Sequence, residues 1–185
     1  MEPGVDLGAE RRIILLGFMG AGKSTVGSIL ASLLGWTFID LDDQIRAATG
    51  HSIARIFAEQ GEQEFRRLEA EIGDRLLDRD GIVLAPGGGW VTNDRVRSKE
   101  FAGSIYVWLR VSPEEVLRRV GRSAATRPLL AVADPEAAIR RLLDEREPLY
   151  RKAHLSVETD QRKPYAVAAE IESLLKGRGS AASPC

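Results

Sequence analysis

Short apolar runs along the chain alternate with longer stretches in which apolar residues recur every three or four positions, a pattern that predicts strands and helices in turn. Ile13 to Leu16 is the first such run. After a glycine-rich loop, Val26, Ile29, Leu30, Leu33 and Leu34 recur at helical spacing, and Gly35 is placed to end that helix. Trp36 to Ile39 predicts a second strand, which ends at Asp40-Leu41-Asp42-Asp43. Ser52 is placed to cap a short helix over 53 to 60. Beyond Gly61 a longer helix carries Phe65, Leu68, Ile72 and Leu76 on one face, while Glu62, Arg66 and Glu69 share a polar one.

Gly81 to Ala85 predicts a third strand running into Pro86-Gly87-Gly88-Gly89-Trp90, and Ser104 to Leu109 a fourth. Ser112-Pro113-Glu114-Glu115 has the cap, the proline and the reciprocal glutamate of a helix start, and this helix should end near Gly121. From Arg122 to Ala133 the periodicity fades, which predicts a flap over about 122–133 containing Arg122, Arg127 and Pro128. Asp134-Pro135 opens another helix, expected to break ahead of Pro148. Leu155 to Thr159 predicts the fifth strand, and Val167, Ile171, Leu174 and Leu175 mark a last helix from about Pro164 to Lys176. Strands alternating with helices define an α/β class with a parallel sheet covered on both faces by right-handed crossovers. Periodicity leaves the strand order open.

The chain has 185 residues, which suits one domain, expected over 11–176 with flexible tails at 1–10 and 177–185. Lys and Arg number 26 against 27 Asp and Glu, a net charge of −1, so no global charge draws the protein to nucleic acid or an anionic membrane. Cys185 is the lone cysteine, which excludes an internal disulfide framework and fits a reducing compartment. No window approaches a membrane-spanning length of apolar residues, and the first dozen residues lack a hydrophobic signal core, so a cytoplasmic location is expected.

Candidate chemistry starts at Gly17-Phe18-Met19-Gly20-Ala21-Gly22-Lys23-Ser24, which matches G-x-x-x-x-G-K-[ST] between a strand and a helix. In such a loop the backbone N–H groups converge on phosphate oxygens, the lysine reaches the β- and γ-phosphates, and the serine hydroxyl can ligate Mg²⁺. Asp40 and Asp42 lie two apart, so at the end of an extended strand they would point together into a site. One carboxylate suits a hydrated metal and the other a substrate hydroxyl and its proton, although a pair of helix-capping aspartates is the plainer alternative. Arg66, Arg127 and Arg146 are candidate anion binders, because a planar guanidinium matches carboxylate and phosphate and stays charged in a closed site. Gly87-Gly88-Gly89 offers bare backbone that can approach an anion closely. His51 and His154 lack metal-ligand companions, and Trp36, Trp90 and Trp108 are packing residues by default.

Taken in order, these segments resemble the shikimate kinase family from about Arg12 to Lys176. The resemblance rests on residues 17 to 25, Phe-Ile-Asp-Leu-Asp at 38 to 42, Gly-His-Ser-Ile-Ala-Arg-Ile-Phe at 50 to 57, and Gly-Glu-Gln-Glu-Phe-Arg-Arg-Leu-Glu at 61 to 69. It continues with the triple glycine, Arg-Pro-Leu-Leu at 127 to 130 and Arg-Glu-Pro-Leu-Tyr at 146 to 150.

The resemblance implies a P-loop NTPase fold of three α/β/α layers, nucleoside-monophosphate-kinase-like, with a five-stranded parallel sheet in the order 2-3-1-4-5. It implies transfer of the ATP γ-phosphate to the 3-hydroxyl of shikimate, a step of aromatic amino-acid biosynthesis, by a monomer. Gly20, Ala21, Gly22, Lys23, Ser24 and Thr25 would hold the nucleotide phosphates, with Mg²⁺ on Ser24 and, through water, Asp40. Asp42 would bind the acceptor hydroxyls and take the proton; Arg66 and Arg146, with backbone at Gly87, Gly88 and Gly89, would grip the carboxylate, and Glu69 would orient the arginines. Arg127 would swing with the lid onto the transferring phosphate, and Arg119 and Pro164 would sandwich adenine.

Pro86 and Trp90 flank the triple glycine where the family commonly has small residues, and Arg46 replaces a frequent acidic residue. A Trp90 ring between Asp42 and Arg146 would reshape the acceptor pocket. The alternatives are a kinase of another polyol acid such as gluconate, and a non-catalytic ligand-binding relative.

Overall fold

The computed structural model describes residues 11–93, 103–120 and 134–181, with side chains to residue 178. The expected lid over 122–133, and with it Arg127, lies outside the described residues. So do residues 1–10 and 182–185.

Five parallel strands form one sheet in the order β2-β3-β1-β4-β5. The central strand β1 (Arg12–Leu16) is flanked by β3 (Ile82–Ala85) and β4 (Ser104–Arg110), with β2 (Thr37–Asp40) and β5 (Leu155–Glu158) at the edges. Because side chains alternate across a strand, Ile13 and Leu15 enter the core on one face while Ile14 and Leu16 enter the core on the other. A strand buried on both faces must be apolar throughout, which is why β1 and β3 read as continuous apolar runs.

One face is covered by α1 (Lys23–Leu34) and α6 (Pro164–Ala181), which pack Val26, Leu30, Val167 and Ile171 over it. Gly27 lets α1 sit close to the sheet, since a Cβ there would fall 2.5 Å from the Phe38 ring. The opposite face carries α2 (Leu41–Thr49) and α3 (Ile53–Leu76) through Leu41, Ile45, Ile56 and Phe65. A third cluster joins Phe18 of the phosphate loop to α4 (Pro113–Val120) and α5 (Pro135–Tyr150) through Val116, Val120, Ile139 and Leu142.

Helix starts follow the predicted chemistry. Ser52 accepts from the Arg55 N–H, Ser112 from Glu115 and Asp134 from Ala137. The helical stretch over α3 is broken at Gly61, whose φ of 83° and ψ of 170° lie outside the helix region, so the expected two segments are present. Three expectations are corrected. Residues 41 to 49 form a helix that the apolar pattern did not reveal, because a nine-residue element buries only Leu41 and Ile45. Helix α5 runs through Pro148 to Tyr150, since a proline in the last turn forfeits little of the ladder. Helix α6 continues past Lys176 to Ala181.

Candidate active site

The carboxyl ends of β1, β2 and β3 converge on a cavity of about 310 Å³, where open α/β sheets bind their ligands. Met19, Gly20, Gly22, Lys23, Ser24 and Thr25 line one wall; Asp40, Asp42, Ala85, Pro86, Gly87 and Gly88 line the other.

The first wall is backbone. Gly22, at the N-cap of α1, has a φ of 91° that side-chain-bearing residues rarely adopt, and it turns the loop directly into the helix. The cap has no side-chain hydrogen bond and the first turn has no acidic residue, so the N–H groups at this end and the positive end of the helix dipole are available to an anion. Lys23 Nζ donates to the carbonyls of Gly17 at 2.8 Å and Phe18 at 3.1 Å, arching over the loop. Ala21 is buried, and Thr25 is exposed just beyond Ser24.

Ser24 Oγ lies 2.6 Å from Asp40 Oδ2, so the hydroxyl of α1 and the carboxylate of β2 meet at the cavity. Asp40 also caps α2, with Oδ1 accepting from the N–H groups of Asp42 and Asp43. The expected Asp40–Asp42 pairing therefore exists for a different reason. Asp40 ends a strand and Asp42 lies in the first turn of the helix it caps, so the two are not alternate residues of one strand. Asp42 Oδ1 is buried without a partner. Burial, followed by the charge of Asp40, raises the Asp42 pKa, while Lys23, Arg46 and Arg66 oppose the rise.

Behind Asp42 stands a buried charge cluster. Arg66 is held by Glu69 at 2.7 Å and Glu62 at 3.1 Å, the i+3 and i−4 neighbours that share its helical face. Glu69 is fully buried and burial pushes its pKa up to about 7, with Arg66 and Arg146 opposing and Asp42 adding to the rise. Its Oε1 has no partner. Arg146 of α5 is 5% exposed and lies over the Phe18 ring, 5.5 Å from its centroid. Two guanidinium groups on separate helices thus flank one buried carboxylate.

The triple glycine threads between these groups because it has no side chains. A Cβ on Gly87 would sit 2.8 Å from Glu69 Oε1 and 3.6 Å from Asp42 Oδ1, and one on Gly89 would collide with the Arg66 guanidinium. Trp90 turns away from the cavity: it is 1% exposed and its ring packs against Gly73 of α3 and the Leu41 side chain. Trp90 is therefore not among the residues that line the cavity. Arg46, the other departure, pairs with Asp43 on the exposed side of α2.

Arg119 is fixed along its edge. It donates to Glu115 at 2.7 Å, to the Gly20 carbonyl at 2.9 Å and to the Thr159 carbonyl at 2.6 Å. That ties the phosphate loop to the end of β5, and Pro164 follows as the exposed first residue of α6. The periodicity gave no sign of the Thr159 and Gly20 partners, which are brought to Arg119 from distant parts of the chain.

A backbone phosphate cradle facing Asp40 and Asp42 across one cavity, with two arginines and a buried glutamate behind them, on a 2-3-1-4-5 parallel sheet, defines a P-loop kinase of small hydroxylated anions. Comparison with known proteins narrows the class. The shikimate kinase family model matches residues 19–176, and the chain belongs to that family. It is 48% identical over 170 residues to a shikimate kinase of Halorhodospira halophila, covering 91% of this chain and 96% of that protein. The solved shikimate kinase from Acinetobacter baumannii in complex with shikimate superposes with a TM-score of 0.86 at 42% identity, covering 91% of this chain and 94% of that one. A gluconokinase from Sinorhizobium meliloti shares the fold alone, with a TM-score of 0.62 at 20% identity over 92% of this chain and 94% of that one.

Proposed function

We infer that the chain transfers the γ-phosphoryl group of ATP to the 3-hydroxyl of shikimate. The observation that carries this reading is that Asp42 shares one cavity with the phosphate loop and is backed by the charge cluster of Arg66, Glu69 and Arg146. A cyclic acid bearing both a carboxylate and hydroxyls engages all of it. Its carboxylate meets Arg66 and Arg146, assisted by backbone at Gly87, Gly88 and Gly89, and its hydroxyl meets the unpartnered Asp42 oxygen.

Phosphoryl transfer asks chiefly for positioning and charge neutralisation. Lys23 and the N-terminal N–H groups of α1 hold the phosphates, and Lys23 follows the charge as it develops. Asp42, its proton affinity raised by burial, orients the attacking hydroxyl and accepts its proton. Glu69 holds Arg66 in place for the acceptor carboxylate. With its edge donors engaged, the Arg119 guanidinium offers its flat face to adenine, and Pro164 is assigned to the other side of the base. Arg127 is assigned to the transferring phosphate, on a lid over 122–133 whose closure excludes water.

Magnesium fits where the two walls meet. Ser24 and Asp40 supply one hydroxyl and one carboxylate at the cavity, and among the described residues no cluster of three or more His, Cys, Asp or Glu side chains could hold a metal without phosphate and water. When bound there, Mg²⁺ supplies charge neutralisation on the phosphates. The reading extends to a single kinase domain, acting as a cytoplasmic monomer without nucleic acid or membrane. No described helix is long and apolar enough to cross a bilayer.

A coupled assay with Mg·ATP tests the acceptor. Turnover with shikimate and none with gluconate is expected. Turnover with gluconate alone would replace the acceptor, and absence of turnover with both would favour a non-catalytic relative.

A further inference from the structure

Tyr150 is the last residue of α5 and one of the largest fully buried side chains. A phenol placed so deep needs a partner for its hydroxyl. The partner is the carbonyl of Gly88, to which Tyr150 Oη donates. Arg146 lies one helical turn earlier on the same face, and its positive charge acts on the same phenol. Behind the ring, Trp108 of β4 stacks with centroids 6.0 Å apart and an angle of 29° between the planes. Burial pushes the Tyr150 pKa up to about 12, so the hydroxyl stays a donor throughout the working pH range.

Gly88 is itself pressed against the phosphate loop. A Cβ there would lie 3.2 Å from both the Gly17 carbonyl oxygen and the Met19 nitrogen. One continuous path therefore runs from the helix that carries Arg146 through the Tyr150 hydroxyl to the Gly88 carbonyl, and from the Gly88 backbone to the phosphate loop. Both ends of this path are anchored, because Tyr150 and Trp90, two residues after Gly88, are fully buried.

We propose that the Tyr150 hydroxyl is a positioning group that ties the acceptor-binding glycine turn to the helix carrying Arg146 and so sets the spacing between acceptor and phosphate donor. Tyr150 does not touch the reacting atoms. It acts through Gly88 and Arg146, and the proposal rests on the reading of this cavity as the shikimate pocket.

The test is Tyr150→Phe in this chain, which keeps the ring and its stacking on Trp108. In-line transfer is steeply sensitive to geometry, so kcat/KM for shikimate should fall about 10-fold or more, while the Kd for ATP changes less than about twofold. Amide hydrogen exchange over residues 87–90, measured without substrate, should quicken in the same variant. Trp108→Phe serves as the packing control, with lower stability but kcat/KM for shikimate within about twofold of the parent. Unchanged kcat/KM in Tyr150→Phe would overturn the proposal, as would an equal loss in Trp108→Phe. Failure of the parent chain to use shikimate would overturn the acceptor reading instead. In that case unchanged exchange at 87–90 in Tyr150→Phe still sinks the positioning role.

Discussion

The two walls of the cavity are made of different materials. The wall assigned to the phosphate donor is a run of consecutive residues that presents backbone N–H groups together with one lysine and one serine. The wall assigned to the acceptor is assembled from α2 and the turn after β3, backed by α3 and α5, and its polar groups are ionisable side chains, two of which, Glu69 and Arg146, are nearly or fully removed from water. A backbone cradle costs the fold little, because its N–H groups lie at a helix end where the ladder leaves them unpaired. A buried ionic cluster is another matter. Each member is tolerable only while the others are present, so function and stability are coupled on that side.

The largest expected effect is on the donor wall. Lys23→Ala should lower kcat by about 10³-fold while leaving the melting temperature within roughly 2 °C of the parent. A variant that loses both activity and stability would erase the contrast between the walls. On the acceptor wall, Arg146→Ala should cut kcat/KM for shikimate by about 10²-fold and also destabilise the protein by about 3 kcal/mol, roughly 10 °C in melting temperature. An undiminished melting temperature would show that the cluster is not held together as its burial implies.

The smallest effect sharpens the same point through pH. Glu69 ionises near pH 7 in the folded chain, against its ordinary value of 4.5. Between these two values the folded state holds a proton that the unfolded state has released, so this group lowers stability as pH rises through the window. Activity should move the other way, because only ionised Glu69 fixes Arg66 electrostatically. In Glu69→Gln both dependences should flatten between about pH 4.5 and 7, measured by melting curves and by kcat/KM against pH. A persisting inflection near pH 7 in that variant would assign it to another group.

Legibility in the sequence differs between the walls for the same reason. The phosphate loop is local: its glycine spacing, its lysine and serine, and the flanking periodicity all fall within about one strand and one helix. Helix α2 was not legible, because a short element at the sheet's edge buries too few residues to show a period. Expecting a break before Pro148 also hid Tyr150, which lies at i+4 from Arg146 and would otherwise have been placed on its face. The i+4 spacing on a continuous helix is the signal that could have found it.

By itself the sequence determined the α/β class, the positions of all five strands, the phosphate loop and most helix starts, because capping, turn conformation and side-chain alternation are set by residues a few positions apart. The family resemblance supplied the strand order and the residues assigned to the acceptor. Only the tertiary structure decided that Trp90 turns into the core, that Arg119 is tied to Gly20 and Thr159, and that Asp40 caps the helix carrying Asp42. It alone placed the Tyr150 hydroxyl on Gly88. Apart from the cap, these contacts join residues far apart in the chain, and their partners are chosen by which surfaces the packed layers bring together.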